Sequence, residues 1–496
     1  MSYISLSFLI FVVVLMIIYY ILPKKIRWIA ILLGNIVFFL SLSGKLIIYV
    51  FLASLVAFFS AQLINKYGNH KKKIILISIL IILSFLAVLK YNNFISSLIN
   101  PIINIFGLNI PYMKFIMPIG ISYYSLEMIS YIVDVYRKKI VPEKNFLKLF
   151  TFFTYFPKII EGPISRYGDL KEKIFGEKKF DYEKFVSAWV LIGYGFIKKL
   201  IIADRLGIFV DNVFKNSYTG IPAIMAVIMY TIQIYCDFSG CIDIISGVSE
   251  LFGIKLPNNF KRPFFSQSIQ EFWRRWHITL GEWLKDYIFY PISLSKMNMK
   301  LNLLVRKIKF KHLSKFIIIA FPLFFVWFVN GLWHGASVKY ILYGLYYYTL
   351  MMLGVLLKPL LDKIVTLFKI NTNVWSFKLF RILRTILIVC IGMLLFRSEN
   401  INQFLIMFKG LISISMDVSI SQLGLKLSDF LISGFFIVMI FCVELSCELG
   451  INIREKLNEQ NLLFRWFVYL LIIFSVLIFG IYGRGYAAKS FIYGGF

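Results

Sequence analysis

Acidic residues are scarce in this chain: 25 Asp and Glu stand against 54 Lys and Arg, a formal net charge of +29. Histidine is scarcer still, with four in 496 residues, and the five cysteines show no ligand-like C-x-x-C spacing. That argues against a disulfide framework or a thiolate metal site. The longest polar insertion, residues 161–184, is too short to fold alone, and no internal repeat is visible. H-E-x-x-H, the Walker loop, G-x-S-x-G and G-x-G-x-x-G are all missing. Metalloprotease, NTPase and serine-hydrolase readings therefore lack their minimum parts.

Apolar side chains are what the sequence has in excess. It is 59% hydrophobic and 18% aromatic, with a mean hydropathy of +0.78. Residues 6–22, 46–64, 74–89, 316–329, 382–396 and 464–481 approach or reach the roughly 17–25 residues that cross a bilayer. The pattern predicts an all-α integral membrane protein, one polytopic domain over 1–496, with about twelve spans. Pro- and Gly-broken apolar pieces between 146 and 291 are candidates for re-entrant segments. The first run lacks a basic n-region and a small-residue cleavage site, so it reads as a retained span.

The excess positive charge gathers in short loops at 24–27, 66–73, 137–148, 171–179 and 296–315, with Arg381, Arg384, Arg454 and Lys456. Placing these on the cytoplasmic face starts the N-terminus outside and sends the last apolar run outward, leaving residues 483–496 outside too. The charge thus reads as anchoring to anionic lipid and not as nucleic-acid binding. Attraction of an anionic donor such as a coenzyme A phosphate would be a secondary use of it.

Two histidines fall where solvation does not explain them. His70 and His312 sit in Lys-rich loops, whereas His277 lies in Glu271-Phe-Trp-Arg-Arg-Trp-His277-Ile-Thr-Leu280 and His334 in Gly331-Leu-Trp-His334-Gly335. An imidazole among apolar spans is costly and can exchange protons near neutral pH. From Gln270 onward Phe272, Trp276, Leu280, Trp283 and Tyr287 keep helical spacing, which predicts an amphipathic helix. An interfacial helix with a Trp anchor and snorkelling arginines accounts for the Trp and Arg residues there, but not for His277. For His334, a structural histidine bonded to a carbonyl is the general alternative. Asn330, Trp333, Gly331 and Gly335 around it favour a small polar ligand pocket. Upstream, Tyr235-Cys-Asp237-Phe-Ser-Gly240 ends an apolar run with a carboxylate and a flexible glycine, and Pro257 and Pro263 break the helix that follows. Candidate substrate- or donor-binding residues are Asn330, Trp333, Arg274, Arg275 and Asp237.

Four pieces in order resemble the membrane-bound O-acyltransferase family, in particular its bacterial alginate O-acetyltransferase-like branch. They are Tyr155-Phe-Pro-Lys-Ile-Ile-Glu-Gly-Pro-Ile-Ser-Arg-Tyr167; Tyr235–Gly240 with Asn258-Asn-Phe260; Phe272–Leu280 with Asp286-Tyr-Ile288; and Gly331–Ser337 with Leu342-Tyr-Gly-Leu345. The N-terminal Tyr19-Tyr-Ile-Leu-Pro-Lys-Lys25 fits as well. The resemblance implies a ring of helices with re-entrant segments around a thinned central region in a bacterial cytoplasmic membrane. It implies His334 as the catalytic histidine and His277 as the second family histidine. The final Phe491-Ile-Tyr-Gly-Gly-Phe496 resembles the aromatic-x-tyrosine motif of this branch, with Tyr493 as an acyl relay. Gly494 and Gly495 depart from that motif, and no Gly-Gly-Asn follows Tyr290.

The mechanism this implies is acyl transfer from a thioester to a hydroxyl, with His334 as general base. Asn330 or N–H groups near Gly335 would face the oxyanion, and His277 with Arg274 or Arg275 would orient the donor. No tightly bound cofactor is expected; acetyl-CoA is the implied donor substrate. The acceptor is a hydroxyl of Tyr493, of a partner's serine or of a polysaccharide, and an extracytoplasmic SGNH-type transferase is the expected partner. D-alanyl transfer to teichoic acid from a carrier-protein thioester is the alternative in the same class. A polysaccharide or lipid transporter is the alternative in another, although the paired broken helices of such folds are missing. A membrane scaffold is the third.

Overall fold

The computed structural model describes residues 1–113, 115–305, 311–413, 415, 423–482 and 491. Eight helical stretches among them are long and apolar enough to cross a membrane, and the chain is a multi-pass, all-α membrane protein. In lipid a helix satisfies its own backbone N–H and C=O groups within one segment, and apolar runs of this length take that solution. In chain order the helices used below are α1 (Leu6–Ile21), α2 (Arg27–Ser43), α3 (Ile47–Lys66), α4 (Lys71–Leu86), α5 (Ile121–Tyr136), α6 (Tyr182–Phe196), α7 (Ile221–Leu251), α8 (Ile269–Arg275), α9 (Ile278–Leu284), α10 (Lys311–His334), α11 (Val338–Leu367), α12 (Trp375–Arg397), α13 (Leu427–Glu448) and α14 (Leu462–Phe479). Two apolar pieces that read as spans along the sequence are short here: α1 and α5 have 16 residues each.

Helix α7 is the axis of the bundle, with 67% of its apolar window buried. It crosses α6 backbone to backbone. A Cβ added to Gly195 would lie 2.6 Å from the Gly240 carbonyl oxygen, and one added to Gly240 would lie 2.9 Å from that of Gly195. Gly240 therefore does not end the apolar run, as its sequence context suggests. The helix continues through it to Leu251, because close packing by small residues offsets the low helix propensity of glycine. A second departure lies at 296–315, read as a loop, where residues Lys296–Val305 are helical and α10 begins at Lys311.

Loops predicted to share one face are brought together at one end of the bundle. Arg27 Nη1 donates to the Lys178 carbonyl at 2.7 Å and Arg137 Nη1 to that of Asp286 at 3.1 Å. Arg454 pairs with Glu250 at 2.8 Å, and Arg384 Nη2 donates to the Gln267 carbonyl at 3.1 Å. At the end of α2, away from that end of the bundle, Ser43 Oγ accepts from Ile119 N–H at 3.1 Å.

Candidate functional site

The amphipathic helix predicted from Gln270 is broken in two. Helix α8 stops at Arg275, and His277, with φ 47° and ψ 51°, turns the chain into α9. The left-handed conformation is uncommon for a residue with a Cβ, and it persists where surroundings over-determine it. Here a short antiparallel bridge joins Phe260 to Trp276, with Lys261 N–H on the Arg275 carbonyl at 2.9 Å and Ile278 N–H on the Asn259 carbonyl at 3.0 Å. Backbone pairing across the bridge outweighs the helical spacing of the side chains. Trp276 is 1% exposed and packs on Phe260, Phe272 and Tyr235. It is a core residue and not an interfacial anchor.

Asn259 holds the turn. Its Oδ1 accepts from Thr279 N–H at 3.1 Å and from Thr279 Oγ1 at 2.9 Å, and faces His277 Nδ1 at 3.2 Å. A backbone N–H can only donate, so the atom it meets is the amide oxygen, and His277 Nδ1 must carry the proton. The Nε2 position keeps the lone pair. Burial pushes the His277 imidazole down to about 3, so the ring is neutral at physiological pH. Thr279 Oγ1 also accepts from Ile164 N–H at 3.0 Å, tying this turn to the segment 155–167. That segment is anchored in turn by a buried Lys158–Glu127 ion pair, with Ser165 N–H on Glu127 at 3.0 Å.

His334 is the last residue of α10, and two side chains from the π-helical continuation of α4 secure the helix end. Lys90 Nζ donates to the Trp333 carbonyl at 2.9 Å and Tyr91 OH to that of Leu332 at 2.7 Å. The last carbonyls of a helix have no partner within it, and a cation is favourable there. Gly331 permits the approach of α11: a Cβ on it would lie 2.4 Å from the Tyr340 carbonyl oxygen.

The two histidines meet through Trp333. Its ring centroid is 5.5 Å from that of His277 and 5.1 Å from that of His334. Phe238 backs His277 at 4.9 Å, and Phe396 and Tyr343 flank His334 at 5.4 and 5.8 Å. His277, His334 and Asn330, all buried, line a cavity of about 510 Å³ whose wall also includes exposed Arg274, Glu282 and Lys285. A larger groove of about 960 Å³ at the basic end, lined by Lys178, Glu250 and Arg454, contains neither histidine. The smaller cavity has both imidazoles in its lining, groups suited to proton transfer near neutral pH.

Of the remaining predicted residues, Arg274 belongs to this cavity and Arg275 does not. Arg275 bridges Glu271 at 2.7 Å and Glu448 at 2.9 Å. Asp237 is also elsewhere, in a buried ion cluster with Lys199, which reaches Asp204 at 2.9 Å. Tyr493 lies outside the described residues. Two residues earlier in the sequence, Phe491 is buried under the Lys199 ammonium at 4.7 Å, and Ile481 N–H donates to the Leu200 carbonyl at 3.0 Å. Sequence alone does not single out Lys90 or Thr279, and Asn259 stands out there only as part of a motif. Lys90, a lone charge at the end of an apolar run, carried the clearest signal of the three.

A family model described as MBOAT, the membrane-bound O-acyltransferase family, matches residues 140–306. The chain is 36% identical to the "Probable alginate O-acetylase AlgI" of Pseudomonas syringae pv. tomato over 66% of this chain and 58% of that protein. It is 26% identical to the "Peptidoglycan O-acetyltransferase" of Helicobacter pylori over 73% of this chain and 68% of that one. It is 30% identical to the "Teichoic acid D-alanyltransferase" of Bacillus subtilis over 47% and 58% respectively. The chain spans between about half and two thirds of the length of the alginate-type relatives it matches.

Proposed function

Because this chain belongs to the membrane-bound O-acyltransferase family, we propose that it moves an acetyl group from a thioester, acetyl-CoA, to a hydroxyl, for O-acetylation of a cell-surface or secreted polysaccharide. The observation that carries this reading is one cavity whose lining holds both exposed Arg274 and Lys285 and buried His334. Cationic side chains suit the phosphates of a donor, and a buried base protects a thioester from water. His334 accepts the proton of the acceptor hydroxyl while its oxygen attacks the thioester carbonyl carbon. The tetrahedral intermediate then expels the thiolate, which takes the proton back from the imidazolium. A positioned base of this kind contributes about 10²–10⁴-fold. Asn330, one turn before His334, is within the same cavity and available to the oxyanion.

The donor approaches from the basic, cytoplasmic end, and an acceptor on the other side completes the transfer across a bacterial cytoplasmic membrane, both termini lying outside. A hydroxyl on Tyr493 would relay the acetyl group to an SGNH-type partner or to the polymer. The relative named for teichoic acid D-alanyl transfer supports a second reading, with a carrier-protein thioester as donor. The acetyl reading is preferred because the relatives named for O-acetylation align over more of the chain.

The test is transfer of label from [acetyl-¹⁴C]acetyl-CoA in proteoliposomes by wild type, His334→Ala and Tyr493→Phe. Label retained by wild type and lost in both variants supports base and relay together. Loss in His334→Ala alone removes the relay. Full transfer by folded His334→Ala overturns the assignment of the base, and transfer from a D-alanyl carrier thioester but not from acetyl-CoA selects the second reading.

A further inference from the structure

Two cavities lie side by side along α6, and they differ in chemistry. The groove of about 960 Å³ at the basic end is lined by Glu183, Lys184 and Ser187 of that helix. A second cavity, of about 400 Å³, is lined by Val186, Trp189, Gly193 and Phe196 of α6 and by Trp466, Tyr469 and Leu477 of α14. None of the described residues in its wall is charged. The two helices meet at Gly193, where a Cβ would lie 2.4 Å from Ile472 Cγ2.

The apolar cavity has a definite depth. Val186 and Phe196 are ten residues apart, about 15 Å along the axis of α6. Trp466 and Leu477 on α14 are eleven apart, about 16 Å. On α1, Tyr20 lines the polar groove and Leu9 the apolar cavity, again about 16 Å apart. Three helices thus agree on a cavity that runs from the basic end through half of a hydrocarbon core of about 30 Å. That is the depth of one leaflet. A transmembrane helix needs the full thickness, whereas the acyl chain of a lipid ends there. The mouth carries the residues of a membrane–water interface: Arg465 Nε donates to Tyr469 OH at 3.2 Å, and Trp466 is exposed beside it.

Five basic and five acidic side chains line the polar groove. Arg454 pairs with Glu250 at 2.8 Å and Lys184 with Asp181 at 2.7 Å. Lys178, Lys255, Glu177 and Glu183 form no ion pair among the described residues. The groove therefore offers charges of both signs and no net sign, the complement of a zwitterion. We propose that these two cavities form one binding site for a phospholipid of the phosphatidylethanolamine kind, its headgroup in the polar groove and one acyl chain between α6 and α14. Lipid tails are as apolar as the cavity wall, so the chain gains fit and little energy. Discrimination comes from the headgroup. Lysines meet the phosphate, and carboxylates accept from the ammonium, whose N–H donors a choline lacks. An anionic glycerol headgroup leaves the carboxylates without a partner. The site is independent of the chemistry at His334.

The experiment is native mass spectrometry of the delipidated full-length protein, titrated with phosphatidylethanolamine, phosphatidylcholine and phosphatidylglycerol of identical acyl chains. The first ethanolamine lipid is expected to bind wild type about three- to tenfold more tightly than the other two, the value of a few exposed charge-assisted bonds. Lys178→Glu/Lys255→Glu should abolish that preference. Val190→Trp, which fills the apolar cavity, should weaken the first adduct of all three lipids about tenfold, with thermal unfolding to check that the variant is folded. Equal affinity of wild type for the three lipids overturns the headgroup match. A first adduct unchanged in both variants overturns the site, and loss of preference in the lysine variant alone removes the acyl chain from the cavity. A dimer that dissociates in Val190→Trp, with no lipid adduct in wild type, assigns the cavity to a second copy of the chain and overturns the proposal.

Discussion

Gly331→Ala is the substitution whose effect can be worked out most directly. An added Cβ would stand 2.4 Å from the Tyr340 carbonyl oxygen and 3.1 Å from Ile341 Cα, where ordinary contact begins at 3.4 Å. Both obstacles are backbone, so no side chain can swing aside, and α10 and α11 must part by about 1 Å. Overpacking of this kind costs about 1–3 kcal/mol. The displacement is one turn from His334, and a misplacement of about 1 Å at a reacting group costs about 10²-fold in rate. Turnover should therefore fall about a hundredfold in a protein that still folds. Gly434→Ala is the control: its Cβ meets nothing within 4 Å, and alanine in a helix gains about 0.5–1 kcal/mol over glycine. The assay pairs radiolabel transfer in proteoliposomes with thermal unfolding in detergent. Wild-type turnover in Gly331→Ala, with its melting temperature lowered, would refute the claim that this helix contact sets the position of His334. A loss of turnover in Gly434→Ala equal to that in Gly331→Ala would refute the reasoning from contact geometry altogether.

Two further predictions separate residues that look alike in sequence. Arg274→Ala should raise donor KM several-fold at unchanged kcat, whereas Arg275→Ala should lower stability by about 1.5–3 kcal/mol through its lost carboxylate bonds and leave KM alone. Steady-state kinetics and thermal melts on both variants check this, and a shared phenotype would contradict the assignment. The second concerns pH. The His277 pKa falls from 6.5 to about 3 on folding, so between those values the unfolded chain binds a proton that the folded one does not. Stability should fall as pH drops through that window, by at most about 1.4 kcal/mol per pH unit from this group. His277→Gln should reduce the slope in chemical denaturation measured from pH 7 to pH 4; an identical slope would mean that His277 is protonated in the fold.

Much of this protein is written along the chain itself. Apolar runs of span length fix the helical membrane class, because an isolated segment in lipid has one way to satisfy its backbone. The basic loops marked one end of the bundle, and the scarcity of histidine left two positions worth pursuing. What periodicity could not decide were the places where contacts between distant segments outrank local preference. The helix expected from Gln270 onward is broken at His277, because bridge hydrogen bonds to Asn259 and Lys261 compete successfully with helical spacing. Gly240 looks like a helix end in sequence, yet it is a helix crossing, since its value depends on Gly195 from another helix. Arg274 and Arg275 are neighbours in the chain, and Asp237 sits in a motif. Only packing assigned the first to the cavity, the second to Glu448 and the third to Lys199. The meeting of His277 and His334 across Trp333 is of the same kind. Each histidine was visible by residue type, but their shared cavity arises where α8, α9, α10 and α11 converge, which no local pattern encodes.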